Sequence, residues 1–258
     1  MQISSLASGS SGNSFLIKGN NNSILIDAGI SCRQVIERMT LLGESPKNLK
    51  AIFITHEHSD HIKGADVLSR TFKIPIYSTK ETSRNCLLCS NPEQIVYIKN
   101  KQITKVGNME IESIPKSHDC PNPVSFKISS TSNKRIISII TDLGKLNKDV
   151  LEAINDSDFL AIEANHDRIM LENGPYPYFL KKRIAGEKGH LSNEKSAIAV
   201  LENANRKLQS ILLCHLSENN NTPKIAFRTF NNFVNLRKDL TPKIQIAPRY
   251  TNTELLEV

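Results

Sequence analysis

The stretch Thr55-His56-Glu57-His58-Ser59-Asp60-His61 decides how this chain is read. Only 7 histidines occur in 258 residues, and three of them stand here beside an aspartate. Neutral imidazoles and a carboxylate crowded together are costly unless positive charge lies between them, and a divalent cation supplies it. Positions i, i+2, i+4 and i+5 do not share a helix face, so a tight loop is expected. His56 and His58, as alternate residues, can face one ion. Asp60 and His61, past the turn, can face a second.

Working outward, the apolar run Ala51–Thr55 leads directly into this loop and reads as a strand. Similar runs are Met109–Ile114, Val124–Ile128, Arg135–Thr141, Phe159–Ile162 and Ile211–Cys214. Phe15–Lys18 and Ile24–Asp27 flank an Asn-rich turn at 20–22 and read as a hairpin. Helices are expected over Ser31–Leu42, closed by Gly43, and over His61–Phe72. Two more are expected over Ser192–Ala204, capped by Ser192, and Thr222–Leu236, with Pro223 at its first position. Alternating strands and helices imply an α/β fold, and runs that are apolar throughout imply strands covered on both faces. Beyond these runs come His118-Asp119, Asp142, Glu163 with His166, and His215. If the strand ends share one edge of the sheets, these groups converge, as ligand sites of α/β sheets commonly do.

The net charge of +7 suits a polyanionic partner such as nucleic acid, without requiring one. The N-terminal MQISSLASGSSGNS has neither a basic start nor an apolar run, so no signal peptide is expected. Apolar runs are too short to span a bilayer, and five cysteines without framework spacing fit reduced thiols. The expectation is therefore a cytoplasmic protein with no membrane association. No repeat, linker or composition break divides the chain, so one domain over 1–258 is expected. Cys86-Leu-Leu-Cys89 is either a redox or zinc pair or two thiols along a helix, and Cys120 and Cys214 read as packing residues around the site.

The H-x-H-x-D-H pattern resembles the hallmark of the metallo-β-lactamase superfamily of dinuclear hydrolases, and the resemblance runs from residue 4 to about 250. It implies a four-layer αβ/βα sandwich. It also implies two divalent ions, zinc or manganese, with His56, His58 and His118 on the first. Asp60, His61 and His215 would hold the second, with Asp142 bridging. Oxygen-reducing members carry an acid where this chain has His58, which favours hydrolysis.

Four further segments resemble a bacterial branch of 5′→3′ DNA exonucleases linked to a cell-wall regulatory operon. They are Ser5–Ser14, Glu163–Asp167, Gly174–Pro177 and Lys188–Asn193. Similarity to tRNA 3′-processing endonucleases implies that Glu163 and His190 help protonate the leaving oxygen, alongside Asp60 as a catalytic residue. Ser8–Ser14 is either a flexible turn or a phosphate-approaching loop, with Ser10 and Asn13 as its candidate contacts. His166 is either a substrate contact or a satisfied polar residue. Aromatic residues beside Lys181, Lys182 and Arg183 suit single- or double-stranded DNA, against the alternative of a solvated basic helix face. Two rival functions stay open. One is another hydrolase of the superfamily, acting on RNA, a cyclic phosphodiester or a thioester. The other is a metal-stabilised nucleic-acid-binding module without turnover.

Overall fold

The computed structural model describes residues 1–20 and 22–258. Asn21, in the expected hairpin turn, lies outside the described residues. Strands β1 (Gln2–Ala7), β2 (Ser14–Lys18), β3 (Ser23–Ile26), β4 (Leu49–Phe53), β5 (Ile76–Thr79) and β6 (Ile95–Ile98) form one sheet in sequence order. Strands β7 (Ile103–Val106), β8 (Met109–Pro115), β9 (Val124–Ser130), β10 (Ile136–Ile140), β11 (Phe159–Glu163), β12 (Ser210–Cys214) and β13 (Lys243–Ile246) form the other. The C-terminal β14 (Leu256–Glu257) returns to pair with β1.

Nine helices surround the sheets among the described residues. They are α1 (Cys32–Leu41), α2 (Ser59–Ile62), α3 (Ala65–Phe72), α4 (Lys80–Asn85), α5 (Lys148–Asp156), α6 (Arg168–Asn173), α7 (Tyr178–Ala185), α8 (Asn193–Asn203) and α9 (Pro223–Val234).

Side-chain alternation makes the layers. On β11, Phe159 and Ala161 face a core shared with Phe15, Ile26 and Phe53 of the first sheet. Leu160 and Ile162 face the opposite way, onto Val150, Val200 and Phe230 of α5, α8 and α9. Leu16, Leu25 and Ile52 of the first sheet pack outward on Val35, Met39 and Leu68 of α1 and α3. Three stacked cores separate four layers, which is the αβ/βα sandwich.

All six isolated strand expectations and the β2–β3 hairpin are present, with ends shifted by a residue or two. The stretch expected as one helix over 61–72 is broken at Gly64. There the Gly64 amide donates to Ala28 O at 2.7 Å, and a Cβ would collide with Ile30 O. Ser31 forms a capping box with Gln34 at the start of α1, Thr222 caps α9, and Gly43 follows α1 with φ 73°. Edge strands β6 and β7 escaped the sequence reading because Tyr97 and Ile103 are over half exposed, which blurs the alternation. β1 escaped because its buried Ser4 and Ser5 read as polar. Thr253 accepts from Ser4 Oγ and from the Ser5 amide.

Strands β10 to β13 are mutually parallel, and β8 runs in the same direction, since both β8 and β10 pair antiparallel with β9. Their carboxyl ends therefore open onto one edge. β3 and β4 of the first sheet are parallel neighbours whose ends lead to Asp27 and to the 55–61 stretch.

Candidate metal centre

The 55–61 stretch is a loop only as far as His58. Ser59–Ile62 closes into the single helical turn α2, which turns Asp60 and His61 away from His56 and His58. The two pairs join different donor groups. In one, ligand atoms of His56, His58, His118 and Cys120 all lie within 4.8 Å of one another. In another, those of Asp60, His61 and His215 do the same. Asp142 links the two, since its carboxylate groups within 4.8 Å with His56 of the first and His61 of the second. Its Oδ2 lies 3.3 Å from His61 Nε2 and its Oδ1 3.3 Å from His215 Nε2.

Each of four histidines has its outer nitrogen tied from behind. His61 Nδ1 donates to Asp27 Oδ2 at 2.7 Å, and His56 Nδ1 donates to Thr55 Oγ1 at 2.9 Å. His118 Nδ1 donates to Gly189 O at 3.2 Å, and His215 Nδ1 to Glu163 Oε1 at 2.8 Å. This fixes the tautomer and turns every Nε2 lone pair inward, as metal sites require. His58 differs, its Nδ1 facing His56 Nε2 at 3.2 Å. Buried His118 Nε2, Asp142 Oδ2 and His215 Nε2 have no hydrogen-bond partner among the described residues. Buried polar atoms are rarely left so, and three aimed at one small volume fit divalent cations.

Electrostatics point the same way. Burial disfavours charge on His215, yet Asp142, Asp60 and Glu163 hold its proton, pushing its pKa up to about 10. His61 is likewise raised, against burial, by Asp27 and Asp142. Asp142 and Asp60 stay well below the carboxylate range despite burial, through His215 and His61. Burial pushes His118 down to about 4. The carboxylates thus demand nearby positive charge, a demand that divalent ions would meet.

Backbone strain is concentrated here. Asp27, Asp142 and His215, each just past a strand, have φ of 61°, 55° and 54°. Left-handed non-glycine residues at three strand ends are held by their surroundings and aim these side chains. Gly29 allows the closest approach, since a Cβ there would strike Asp60 O.

Glu163 is fully buried. Its Oε1 accepts from His190 Nδ1 at 2.8 Å, and its Oε2 accepts from the Leu143 and Leu191 amides. Glu163 therefore acts through His190 and His215 and does not itself reach the cleft. His190 is 21% exposed and lines the cleft with Ser10, His58, Asp60, His118 and Asp142.

The other expected contacts are placed as follows. Asn13 is fully buried, with Nδ2 donating to Asp60 Oδ2 at 3.2 Å and to Gly9 O, so it positions Asp60. His166 is buried, with Nδ1 3.3 Å from Asn165 Oδ1, and burial lowers its pKa to about 4. Of the basic trio only Arg183 lines the cleft, and its Nε donates to Asp119 Oδ2 at 3.0 Å. Lys181 Nζ donates to Glu172 O, while Lys182 is exposed outside the cleft. Cys120 joins the first donor group, where packing was expected, and Cys214 packs between the sheets as expected. Cys86 and Cys89 are free and follow α4, where thiols along a helix or a redox pair were expected.

Three residues that contact the donor groups or pack beside them were missed. Asp27 follows an apolar strand just as Asp142 does, so the same rule would have found it. Asp119 was seen beside His118 but given no role. Lys116 is 7% exposed, with Nζ donating to Thr141 O at 2.6 Å beside Asp142, and nothing in its sequence context separates it from a surface lysine.

A family model described as the metallo-beta-lactamase superfamily matches residues 7–125. The chain is 34% identical over 237 residues to exodeoxyribonuclease WalJ of Streptococcus pneumoniae serotype 2, covering 90% of this chain and 87% of that one. It is 33% identical over 229 residues to exodeoxyribonuclease YycJ of Bacillus anthracis, covering 88% and 86%. The crystal structure of the metallo-beta-lactamase fold protein YhfI from Bacillus subtilis superposes with a TM-score of 0.73 over 98% of each chain, at 13% identity.

Proposed function

The chain belongs to the metallo-beta-lactamase superfamily, and from that premise we propose a metal-dependent phosphodiesterase that removes nucleotides from DNA in the 5′→3′ direction. The observation that carries the reading is Asp142, which groups with His56 of one histidine set and His61 of the other within 4.8 Å and has one carboxylate oxygen 3.3 Å from each of the His61 and His215 Nε2 atoms. In this reading His56, His58 and His118 would hold one divalent ion, zinc or manganese, Asp60, His61 and His215 would hold a second, and Asp142 would be shared by both sets. Such a pair supplies acidification of water and neutralisation of a phosphodiester's charge.

The chain's own residues do the rest. Asp27, Thr55, Gly189 and Glu163 fix the ring orientations. Asn13 holds Asp60 in place. Glu163 anchors His190 Nδ1, which leaves His190 Nε2 to carry a proton to the leaving oxygen. Tyr178 and Phe179, 80% and 73% exposed beside Lys182, give stacking faces and a phosphate contact for a DNA strand, with Ser10 on the cleft rim. The deoxyribonuclease names of the two relatives support DNA over RNA. Residues 1–258 act as one domain in this reading. Five free cysteines support a reducing cytoplasmic setting, and no helix among the described residues is long and apolar enough to cross a membrane.

The test is digestion of duplex DNA labelled at the 5′ or the 3′ end, with zinc or manganese added. Early release of labelled mononucleotide from the 5′-labelled strand alone is the expected result. Early release from the 3′ end reverses the polarity, and no release with either metal overturns the nuclease reading.

A further inference from the structure

We propose that a cavity beside the metal cleft, off the carboxyl ends of β12 and β13, binds the base of the 5′-terminal nucleotide. The proposal deepens the DNA-exonuclease reading and rests on it. The cavity holds about 490 Å³, within the range of small-ligand sites. Its wall and that of the cleft are one segment. His215 lines the cleft, Leu216 lines the cavity, and Ser217 lines both. A nucleotide with its phosphate at Asp142 and His215 therefore reaches the cavity across Ser217. β12 and β13 are parallel neighbours, and the crevice beyond such strand ends is where α/β sheets bind ligands.

The lining suits a base better than a second phosphate. Leu216, Ile246 and Pro248 give apolar faces, and the Tyr250 ring is 63% exposed beside them for stacking. Arg249 is the only cation among the described residues that line it. Its Nη2 donates to Leu216 O, while its buried Nη1 has no hydrogen-bond partner among the described residues. Glu218, which accepts from Tyr250 Oη at 3.1 Å, repels a phosphate but tolerates an uncharged ring.

The test uses the whole chain. Cleavage rates are compared for DNA with a normal and with an abasic 5′-terminal residue, in the wild type and in Tyr250→Ala. The wild type is expected to lose roughly five- to hundred-fold in kcat/KM on the abasic end. Tyr250→Ala is expected to erase most of that discrimination. Equal wild-type rates on both ends overturn the subsite while leaving the nuclease reading intact. Calorimetric titration with deoxyadenosine monophosphate and with 2-deoxyribose 5-phosphate gives a readout that needs no cleavage. Tighter binding of the base-bearing compound, weakened by Tyr250→Ala, supports the subsite even if DNA is not cleaved. Equal binding of the two compounds overturns it.

Discussion

On the floor of the cleft, His56, His61, His118 and His215 each have one ring nitrogen tied to a buried partner. On its rim, formed by α7, Arg183 lines the cleft already paired with Asp119, and Tyr178 and Phe179 of the same helix stay largely exposed. The floor is held because each of these four rings is fixed from behind by a second group, often from another strand end. The rim rests on α7, whose eight residues include none that is buried. Floor residues should therefore set chemistry and metal affinity, and rim residues should set affinity for the strand and its salt dependence.

The largest effect is expected at the floor. Asp60→Ala removes a ligand atom and the partner of Asn13 Nδ2, so nuclease turnover is expected to fall to about one-thousandth of wild type or less. Elemental analysis should show the loss of about one ion per chain, with DNA affinity largely kept because phosphate contacts elsewhere dominate binding. Wild-type turnover in this variant would place the chemistry elsewhere.

His190→Ala probes the step between floor and rim. It removes no ligand of either proposed ion, so metal content should persist while the rate falls by about 10²–10⁴. A nitrophenyl diester, whose leaving group needs no proton, should recover much of that loss. If both substrates lose equally, His190 acts by positioning and not by proton transfer.

The floor was the legible half. Histidines and acids stand at strand ends in this sequence, and a chain with few histidines that groups three in six residues announces their use. Asp27 obeyed the same rule but was hidden in a hairpin, where an acid also reads as a turn residue. Asn13 and His166 could be placed near the site but not oriented. Whether a polar side chain faces substrate or its own protein depends on loops such as 9–13 against Asp60, which no local pattern encodes. Lys116 and Cys120 became visible only when β8 and β10 brought them beside Asp142 and His58. The rim was legible as composition alone: a basic, aromatic segment is written the same way whether it binds DNA or only water.

Asp27→Asn tests the rear support of the floor. Asp27 also accepts from the Thr55 amide and Thr55 Oγ1, so its loss loosens both His61 and the start of the 55–61 loop. The affinity of the ion held with Asp60 and His215 is expected to drop by about 10- to 100-fold, measured by chelator competition. His56 keeps its Thr55 partner, so the ion held with His58 and His118 should be retained more tightly. Uniform loss of both ions would mean that the two groups are not independently supported.

The smallest effect is expected on the rim, and it sharpens the comparison most. Lys181 and Lys182 are adjacent and carry the same charge, but Lys181 Nζ is held by Glu172 O at 2.8 Å, while Lys182 is exposed. A phosphate contact made by a free ammonium releases a counterion on binding, and one such contact changes the slope of log K against log salt by about 0.9 for duplex DNA. Lys182→Ala is therefore expected to flatten that slope by close to 0.9 and to weaken binding a few-fold at low salt. Lys181→Ala should flatten it by distinctly less, since its ammonium already has a partner within the chain. Metal content should match wild type in both, because neither residue approaches the donor groups. Fluorescence-anisotropy titrations of labelled duplex at several salt concentrations measure the two slopes directly. If neither substitution moves the slope, α7 is a solvated basic face, and the strand must enter along another wall of the cleft. If Lys181→Ala moves it as far as Lys182→Ala, the Glu172 contact gives way on binding, and the rim adapts to DNA where the floor does not.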